Sequence, residues 1–361
     1  MKACVLHSYD APMTVDEVTV SDPIGDELLI RVVASGVCHS DKTIRQGTQQ
    51  HPLPMILGHE AAGVVERVGP DATVFQPGDR VVTSASAMCG VCEWCMRGAP
   101  QHCLDRARTR AADLPPRLSL HGTPVAALVG LGGFAELMLV SQRAAAPLPA
   151  EVPLEIGALL GCAVVTGMGA VFNTAKVRPG ESVAVIGCGG VGLNVIQAAR
   201  VSGAGRIVAV DRVREKLARA EEFGATDTVL AADTDPVEAV RDLTGGGVDH
   251  AFEVVGNPAT VAQAFAMLRI RGTATVVGVP KPTDVSGIPI FDFLLEKRLQ
   301  GSRMGSSNVR LDIARIGRLY LDRRIHLDSL ISHRIGLEDV ESALAGMADA
   351  TGARSVIALD E

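Results

Sequence analysis

The stretch SVAVIGCGGVG, residues 182–192, joins an apolar strand to a glycine-rich turn that fits the pattern G-x-G-x-x-G. Gly187 permits a sharp turn, Gly189 lets the backbone approach a pyrophosphate, and Gly192 allows a helix to pack closely on the strand. The free N–H groups and positive dipole at the start of that helix then favour phosphate. The dinucleotide contacts predicted from this motif are Gly187, Gly189, Gly190, Val191 and Gly192.

The segment around this motif alternates strands with helical patterns. The predicted strands are SVAVIG, RIVAVD, DTVLA, HAFEVVG and TATVVGVP, all between residues 182 and 280. Alternation of this kind is typical of βαβ units, in which helices cover a parallel sheet. The sequence therefore predicts a doubly wound α/β domain here.

The strand IVAVD ends at Asp211, 24 positions after Gly187. An acid at this place accepts hydrogen bonds from ribose hydroxyls and repels a 2′-phosphate, so the sequence favours NAD over NADP. The neighbouring Arg212 leaves some tolerance of NADP open. The alternative is that Asp211 only caps the next helix.

The other parts of the chain have a different secondary-structure pattern. Its 361 residues predict two domains. The first 160 or so residues are short strands separated by turns, such as ELLIRVVA at residues 27–34. After Met304 a helix at 309–322 and a strand at 354–359 follow. We expect this tail to pack on the first, irregular β domain.

Charge and composition exclude some functions. A formal net charge of −7 argues against nucleic acid, and no run of Lys and Arg suits an anionic membrane surface. The longest apolar stretch, Ile156–Phe172, contains four glycines and is expected to be too short for a bilayer span. No signal peptide is expected, so the eight cysteines should be cytoplasmic thiols or metal ligands.

Four cysteines lie close together at Cys89, Cys92, Cys95 and Cys103, with the spacing C-x2-C-x2-C-x7-C. Four thiolates can enclose one tetrahedral zinc with no open position, which is a structural site. The same spacing could hold an iron–sulfur cluster, but the charged loop favours zinc. His102 could compete with Cys103 as the fourth ligand.

Two further motifs, GVCHSD at 36–41 and GHE at 58–60, suggest an open metal site. Cys38 and His59 are ligands of the kind zinc accepts, and Asp41 or Glu60 could bind the metal or support a ligand. A core cysteine with a surface histidine is the alternative.

Together these motifs resemble the zinc-dependent medium-chain alcohol dehydrogenases of the liver-type and formaldehyde dehydrogenase-like branch. The resemblance rests on the stretches GVCHSD, GHEAAGVVERVG at 58–69, the four-cysteine segment, GCAVVTG at 161–167 and GCGGVG at 187–192. The resemblance implies a GroES-like catalytic domain, 1–163 with 304–361, and an inserted Rossmann domain, 164–303. It also implies a homodimer, with strands near 288–301 pairing.

The resemblance adds Cys162 as the third ligand of a catalytic zinc held by Cys38 and His59, so two zinc ions per chain are expected. The fourth position would take water or the substrate oxygen. Ser40 would hydrogen-bond that oxygen and pass its proton towards solvent. Asp41 would orient His59, and Glu60 would lie behind the metal.

The resemblance also assigns coenzyme contacts outside the glycine motif. Thr166 would lie near the nicotinamide, Lys216 at the adenosine ribose, and His39 and Arg354 at the pyrophosphate. Val277 and Val279, at the end of a later strand, complete the predicted coenzyme site. The function implied is reversible hydride transfer between NAD and a primary alcohol or aldehyde of medium size, with aromatic and allylic alcohols as candidates.

The sequence departs from the family in its proton relay and its substrate channel. Many members carry a histidine where this chain has Thr43; nearby His51 is a candidate substitute, and direct release to water is the alternative. Ala85 and Leu128 replace phenylalanines of the liver-type enzymes, which predicts alcohols larger than ethanol. Gln49 is the remaining predicted pocket residue.

Two alternative functions stay open. One is a formaldehyde dehydrogenase that needs glutathione or mycothiol, since the segment 104–130 is long and arginine-rich. That branch has an arginine at the position of Ala107 and an acid at that of Gln49. The favoured interpretation of the arginines is a solvated surface; they are Arg106, Arg108, Arg110 and Arg117. The other alternative is a non-enzymatic zinc- and NAD-binding protein.

Overall fold

The computed structural model describes residues 1–105, 110–347 and 354–359, which divide into two units. One unit is Met1–Cys162 with Asn308–Glu361, and the other is Ala163–Ser307. The sequence-based boundaries lie at 163 and 304 instead. Residues 304–307 belong to the second unit because Ser307 Oγ donates to the Val165 carbonyl over 3.4 Å and Asn173 Nδ2 to the Gly305 carbonyl over 3.3 Å.

Twenty strands occur in the described ranges. In chain order they are β1 Lys2–Leu6, β2 Thr14–Glu17, β3 Thr19–Val20, β4 Glu27–Val37, β5 Met55–Ile56, β6 Glu60–Val68, β7 Arg80–Thr83, β8 Leu118–Leu120, β9 Thr123–Pro124, β10 Ala126–Ala127, β11 Leu137–Ser141, β12 Ala145–Pro147, β13 Ser182–Ile186, β14 Arg206–Asp211, β15 Asp227–Leu230, β16 Val248–Glu253, β17 Leu268–Val276, β18 Arg298–Gly301, β19 Ile331–Ile335 and β20 Arg354–Ala358.

The α-helices of the same ranges are α1 His39–Arg45, α2 Glu93–Met96, α3 Leu154–Leu159, α4 Val165–Gly169, α5 Gly190–Val201, α6 Arg214–Phe223, α7 Pro236–Thr244, α8 Pro258–Ala266, α9 Val309–Leu321 and α10 Val340–Gly346. Two π-helical turns, Leu160–Val164 and Ala170–Ala175, extend α3 and α4. The 3₁₀ helices are Pro100–His102, Leu128–Gly130, Gln142–Ala144, Ile290–Leu295, Met304–Ser306, Asp328–Leu330 and Leu337–Asp339.

The first unit is built mainly of antiparallel sheet. Its largest sheet runs β12-β7-β6-β4-β20-β19, with β11 also paired to β4. Strand β4, ELLIRVVASGV, is buried along almost its whole length, which suits its place inside the sheet. Because β20 pairs antiparallel with β4, both ends of the chain build this sheet. The pairing of Gly36 with Glu60 between β4 and β6 brings the ends of these two strands together.

The second unit contains a six-stranded sheet in the order β15-β14-β13-β16-β17-β18, and every pairing in it is parallel. The central strands β13, β14 and β16 are short and largely buried, as parallel strands covered on both faces are. The order reverses between β13 and β16, which is the topological switch point of a Rossmann sheet. The predicted α/β fold with a Rossmann-like parallel sheet is confirmed.

The helical run Leu154–Ala175 spans 22 residues with a mean hydropathy of 1.8, which by length and composition is enough to cross a membrane. The expectation that this stretch is too short is therefore wrong. However, 83% of its most apolar window is buried inside the protein, as in a core helix. Its glycines permit close packing: a Cβ on Gly161 would lie 2.2 Å from the Thr83 carbonyl oxygen.

Candidate active site

Three segments of the first unit meet at one group of metal-ligating side chains. Cys38 follows β4 and starts α1, His59 precedes β6, and Cys162 lies in a π-helical turn. One ligand atom from each of these residues and from Glu60 lies within 4.8 Å of the others. The structure thus brings together the three zinc ligands expected for the open site, which span 124 positions from Cys38 to Cys162.

Asp41 organises this group from a fully buried position. One carboxylate oxygen accepts the Cys38 N–H over 2.9 Å, and the other accepts the Gly58 N–H over 3.0 Å. The second oxygen also lies 3.2 Å from His59 Nδ1, which donates to it, so Nε2 is the ring nitrogen that would bind a metal. Burial lowers the pKa of His59, but the Asp41 carboxylate outweighs it and raises that pKa well above its usual value.

Glu60 is fully buried behind the same group. Its Oε1 accepts a hydrogen bond from Arg354 Nη2 over 2.8 Å, whereas Oε2 has no hydrogen-bond partner in the described part of the chain. Burial raises the pKa of Glu60 to about 8 against the opposing charge of Arg354. Gly36 gives the carboxylate its space, because a Cβ there would lie 2.3 Å from Oε2.

The residues of this group fit a zinc ion. Two thiols, one imidazole and a buried carboxylate oxygen without a donor form a donor set for a borderline-soft dication. The pKa of Cys38 lies well below its usual range, because Cys162 donates a hydrogen bond to it and Arg354 and His59 are cationic neighbours. Ser40 Oγ is exposed and lies 3.2 Å from His59 Nε2, at the edge of the group.

The four cysteines Cys89, Cys92, Cys95 and Cys103 form a second group, and their sulfur atoms lie within 4.8 Å of one another. The N–H groups of Val91 and Cys92 donate to Cys89 Sγ and hold the pKa of that thiol below its usual value. Four convergent sulfurs fit a closed, structural zinc site. The His102 ring instead lies 5.9 Å from the Trp94 ring, centroid to centroid.

The glycine-rich turn of the second unit has the conformation that its pattern predicts. Gly187 has a φ of +97°, and a Cβ on Gly192 would lie 1.9 Å from the Gly187 carbonyl oxygen. Among the described residues, a Cβ on Gly189 would meet no atom within 4 Å outside its own chain neighbours. Packing therefore explains the first and last glycines, whereas the space beside Gly189 fits a ligand that approaches the start of α5.

Asp211 lies at the carboxyl end of β14, beside this turn. Its carboxylate accepts the N–H groups of Cys188 and Val213 over 2.8 and 3.0 Å. The other predicted coenzyme residues of this unit are Lys216 in α6, Thr166 in α4, and Val277 and Val279 just after β17. Arg354 is buried against Glu60 in the first unit, and His39 is exposed there at the start of α1. Their pyrophosphate contacts stay predictions.

The structure corrects the interpretation of the arginine-rich segment. Arg110 and Arg117 are not solvated: both are paired with the buried carboxylate of Glu27. Arg110 also donates to Ser21 Oγ and to two carbonyl oxygens, so this cation fastens the segment to the start of β4. Arg106, Ala107 and Arg108 lie outside the described residues. Neither described arginine supports the binding of a thiol adduct.

The predicted substrate-pocket residues have different surroundings in the first unit. Leu128 is 2% exposed and belongs to a hydrophobic core cluster, Ala85 is half-buried and Gln49 is exposed. Thr43 Oγ1 donates to the His39 carbonyl over 3.1 Å, and the backbone of His51 is bound by the Tyr9 hydroxyl. The roles of these residues towards a substrate stay predictions.

Sequence reasoning missed two residues that shape the sites. Gly36 makes room for Glu60, and its place at the start of GVCHSD was the available signal. Met304 Sδ lies 3.8 Å from Thr166 Oγ1, and Met304 has a φ of +49°. Nothing in the sequence pattern indicates that contact, because 138 residues separate the pair.

Comparisons with known proteins agree with both units. Residues 25–150 match the model of the alcohol dehydrogenase GroES-like domain, and residues 190–317 match that of the zinc-binding dehydrogenases. An alcohol dehydrogenase zinc-binding domain protein from Burkholderia ambifaria is 36% identical, with a TM-score of 0.95 over 100% of this chain and 99% of that one.

Two other solved structures are similar over 99% of both chains. Benzyl alcohol dehydrogenase from Acinetobacter calcoaceticus is 32% identical, with a TM-score of 0.94. A protein of Sinorhizobium meliloti 1021, solved as a zinc-binding dehydrogenase bound to NADP, is 30% identical, with a TM-score of 0.83. Fold and site define a zinc-binding dehydrogenase, an oxidoreductase. The chain belongs to the zinc-dependent medium-chain alcohol dehydrogenase family.

Proposed function

We propose that this protein is an alcohol dehydrogenase that transfers hydride reversibly between a primary alcohol and NAD. The observation that carries the proposal is the convergence of Cys38, His59 and Cys162 with the Glu60 carboxylate, beside the exposed Ser40 residue. Zinc bound there supplies a Lewis acid that lets an alcohol lose its proton near neutral pH. The four-cysteine group is complete without an exchangeable ligand and has a structural role.

The chain's own residues divide the remaining tasks. Cys38, His59 and Cys162 bind the metal, and Asp41 holds the imidazole so that Nε2 faces it. Ser40 Oγ accepts the proton of the substrate hydroxyl and in the same step releases its own proton to solvent. The Thr43 hydroxyl donates to the His39 carbonyl, which supports direct release to water rather than a relay through position 43.

The proposed coenzyme is NAD, because the Asp211 carboxylate at the end of β14 would repel a 2′-phosphate. Coenzyme preference should be measured, because one similar solved structure is bound to NADP. We expect a higher kcat/KM with NAD than with NADP. Equal values for the two coenzymes would contradict the role of Asp211.

The proposed substrate is a medium-sized primary alcohol, aromatic or allylic. Small or aliphatic side chains at Ala85 and Leu128 support a pocket wider than that of the liver-type enzymes, and the similarity to benzyl alcohol dehydrogenase points the same way. A panel of ethanol, benzyl, cinnamyl and geranyl alcohols with NAD tests this. We expect kcat/KM for one of the larger alcohols to exceed that for ethanol by about tenfold or more, since added apolar contacts favour the larger substrate.

The same assay tests the competing functions. NADH formation from formaldehyde that requires glutathione or mycothiol, with no turnover of the alcohol panel, would replace the proposal with a thiol-dependent formaldehyde dehydrogenase. Absence of NAD reduction with every substrate, in a protein that holds its zinc and binds NADH, would favour the non-enzymatic alternative.

We also propose that the protein is a cytoplasmic homodimer. The eight cysteines all lie in the described residues and form no disulfide there, which suits a reducing compartment. The outer strand β18 of the Rossmann sheet follows a 3₁₀ helix whose Ile290, Phe291 and Leu294 are 84%, 68% and 76% exposed. Exposed apolar side chains beside a sheet edge fit a second copy of the chain.

Light scattering of the purified protein tests the assembly. We expect the mass of a dimer for the wild type and of a monomer for Leu294→Glu, because the introduced charge would be buried at the interface. Leu311→Glu is the matched control, since Leu311 is 69% exposed on α9 of the other unit. A wild-type monomer, or a dimer that survives Leu294→Glu, would contradict the proposed interface.

A further inference from the structure

Glu253 is a buried carboxylate in the second unit that the proposed reaction does not use. It is the last residue of β16 and is fully buried. In the parallel sheet it pairs with Ile186 of β13 on one side and with Val276 of β17 on the other. Because Ile186 directly precedes Gly187, Glu253 lies beside the start of the glycine-rich turn.

The side chain of Glu253 shapes the turn that follows β16. Its Oε1 accepts the N–H groups of Val255 and Gly256 over 2.9 and 2.7 Å and the Thr260 hydroxyl over 2.7 Å. Its Oε2 has no hydrogen-bond partner among the residues that the structure describes. A buried carboxylate with an unused oxygen costs free energy, so stability alone does not account for an acid at this position.

The turn held by Glu253 contacts both segments predicted to bind the coenzyme. A Cβ on Gly187 would lie 2.9 Å from Val255 Cγ2, so the turn closes one side of the glycine-rich loop. A Cβ on Gly256 would lie 2.7 Å from the Val279 backbone, so the turn also packs on the residues after β17. Val255 and Val279 are both exposed at these carboxyl ends.

The turn lies at the edge of the sheet where a coenzyme is expected to bind. The strand order reverses between β13 and β16, and ligands of such sheets bind in the crevice outside the carboxyl ends at that point. Resting on the proposed use of NAD, we infer that Glu253 is a positioning residue of the coenzyme site. Its carboxylate fixes the Val255–Gly256 backbone in the position that the bound dinucleotide requires.

Substitution of Glu253 by Gln in the full-length protein tests this inference. The amide keeps the shape but is a weaker acceptor than the carboxylate for two backbone N–H groups. We expect NADH, measured by fluorescence titration, to bind about tenfold more weakly, because about one strong hydrogen bond is lost in ordering the turn. The KM for NAD should rise with it. The kcat should not fall, because weaker binding speeds coenzyme release.

Asp249→Asn is the matched control on the same strand. Asp249, at the opposite end of β16, accepts the N–H and the hydroxyl of Ser182 over 2.8 and 2.7 Å. If Glu253 had only a structural role, both variants would lose stability to urea and neither would change NADH affinity. Should Glu253→Gln not fold, Thr260→Val carries the test, with about threefold weaker NADH binding expected from the loss of one donor.

Three outcomes contradict the inference, and the third is distinguishable from the first two. NADH affinity of folded Glu253→Gln within twofold of the wild type, or an equal loss in Asp249→Asn, overturns the role of Glu253 alone. A wild type that binds neither NADH nor NADPH overturns the proposed function and the inference together.

Discussion

At the scale of residues, the Asp41 carboxylate joins two chain segments, 38–41 and 58–59, through the Cys38 N–H, the Gly58 N–H and the His59 ring. Its three contacts set the positions of two proposed zinc ligands at once. Such a carboxylate raises ligand basicity as well as fixing the ring, so its effect on metal affinity exceeds that of a surface acid. The open site therefore depends on a residue that need not touch the metal.

The clearest prediction for a single residue concerns Gly189. A methyl group there would meet no atom within 4 Å in the described part of the chain outside its own neighbours, so Gly189→Ala should change the free energy of unfolding by less than about 1 kcal/mol. The same methyl group occupies the space proposed for the pyrophosphate, so NADH should bind at least about tenfold more weakly. Fluorescence titration and urea unfolding measure the two effects. Gly346→Ala is the control, because a Cβ there also meets nothing within 4 Å among the residues that the structure describes, and unchanged NADH affinity in Gly189→Ala would contradict the assignment.

Single-residue chemistry was only partly predictable from the sequence. Short-range spacing indicates the four-cysteine group, since all four residues lie within 15 positions. The partners Cys38 and His59 lie 21 positions apart, and only the pairing of β4 with β6 shows that they meet. Cys162 was proposed by resemblance, because its approach depends on Gly161 packing against β7.

At the scale of elements, the segment after the four-cysteine group is fastened by a buried ion network. Glu27, at the start of β4, is paired with both Arg110 and Arg117. The sequence shows a run of arginines that is typical of a solvated surface, because the partner acid lies more than 80 positions away. Burial acts to raise the pKa of Glu27, but hydrogen bonds from Arg110, the Ile24 N–H and Arg117 lower it below its ordinary value.

Glu27→Gln should destabilise this unit by about 3 kcal/mol at pH 7, because it leaves two guanidinium groups without their buried anion. The folded-state pKa lies below the unfolded one, so the contribution is complete above the unfolded pKa and disappears as the pH falls through the folded value. Urea unfolding at pH 7 and at lower pH measures both effects. Glu66→Gln, which breaks an exposed pair with Arg31, should cost less than about 1 kcal/mol. Equal losses in the two variants would contradict a buried network.

At the scale of the whole molecule, the Rossmann unit was the most predictable part. Its strands alternate with helices in sequence order, and each βαβ unit follows from local pattern and right-handed connection. The first unit was predictable only as an irregular β domain. Its central sheet takes β20 from the far end of the chain, and no local pattern indicates that β20 pairs with β4.

The central claim is that Cys38, His59 and Cys162 hold the reactive metal, whereas the four-cysteine group holds a structural one. Zinc content and the rate of NAD reduction, measured on the same preparations of wild type, Cys162→Ser and Cys4→Ser, test it most directly. Cys4 is buried in the same unit and belongs to neither donor group, which makes it the matched control.

The account predicts two zinc ions per chain and full activity in the wild type and in Cys4→Ser. In Cys162→Ser it predicts one zinc ion, NADH binding equal to that of the wild type, and a rate lower by about 100-fold or more, because the Lewis acid is lost. Two zinc ions in Cys162→Ser together with a rate close to that of the wild type would contradict the account.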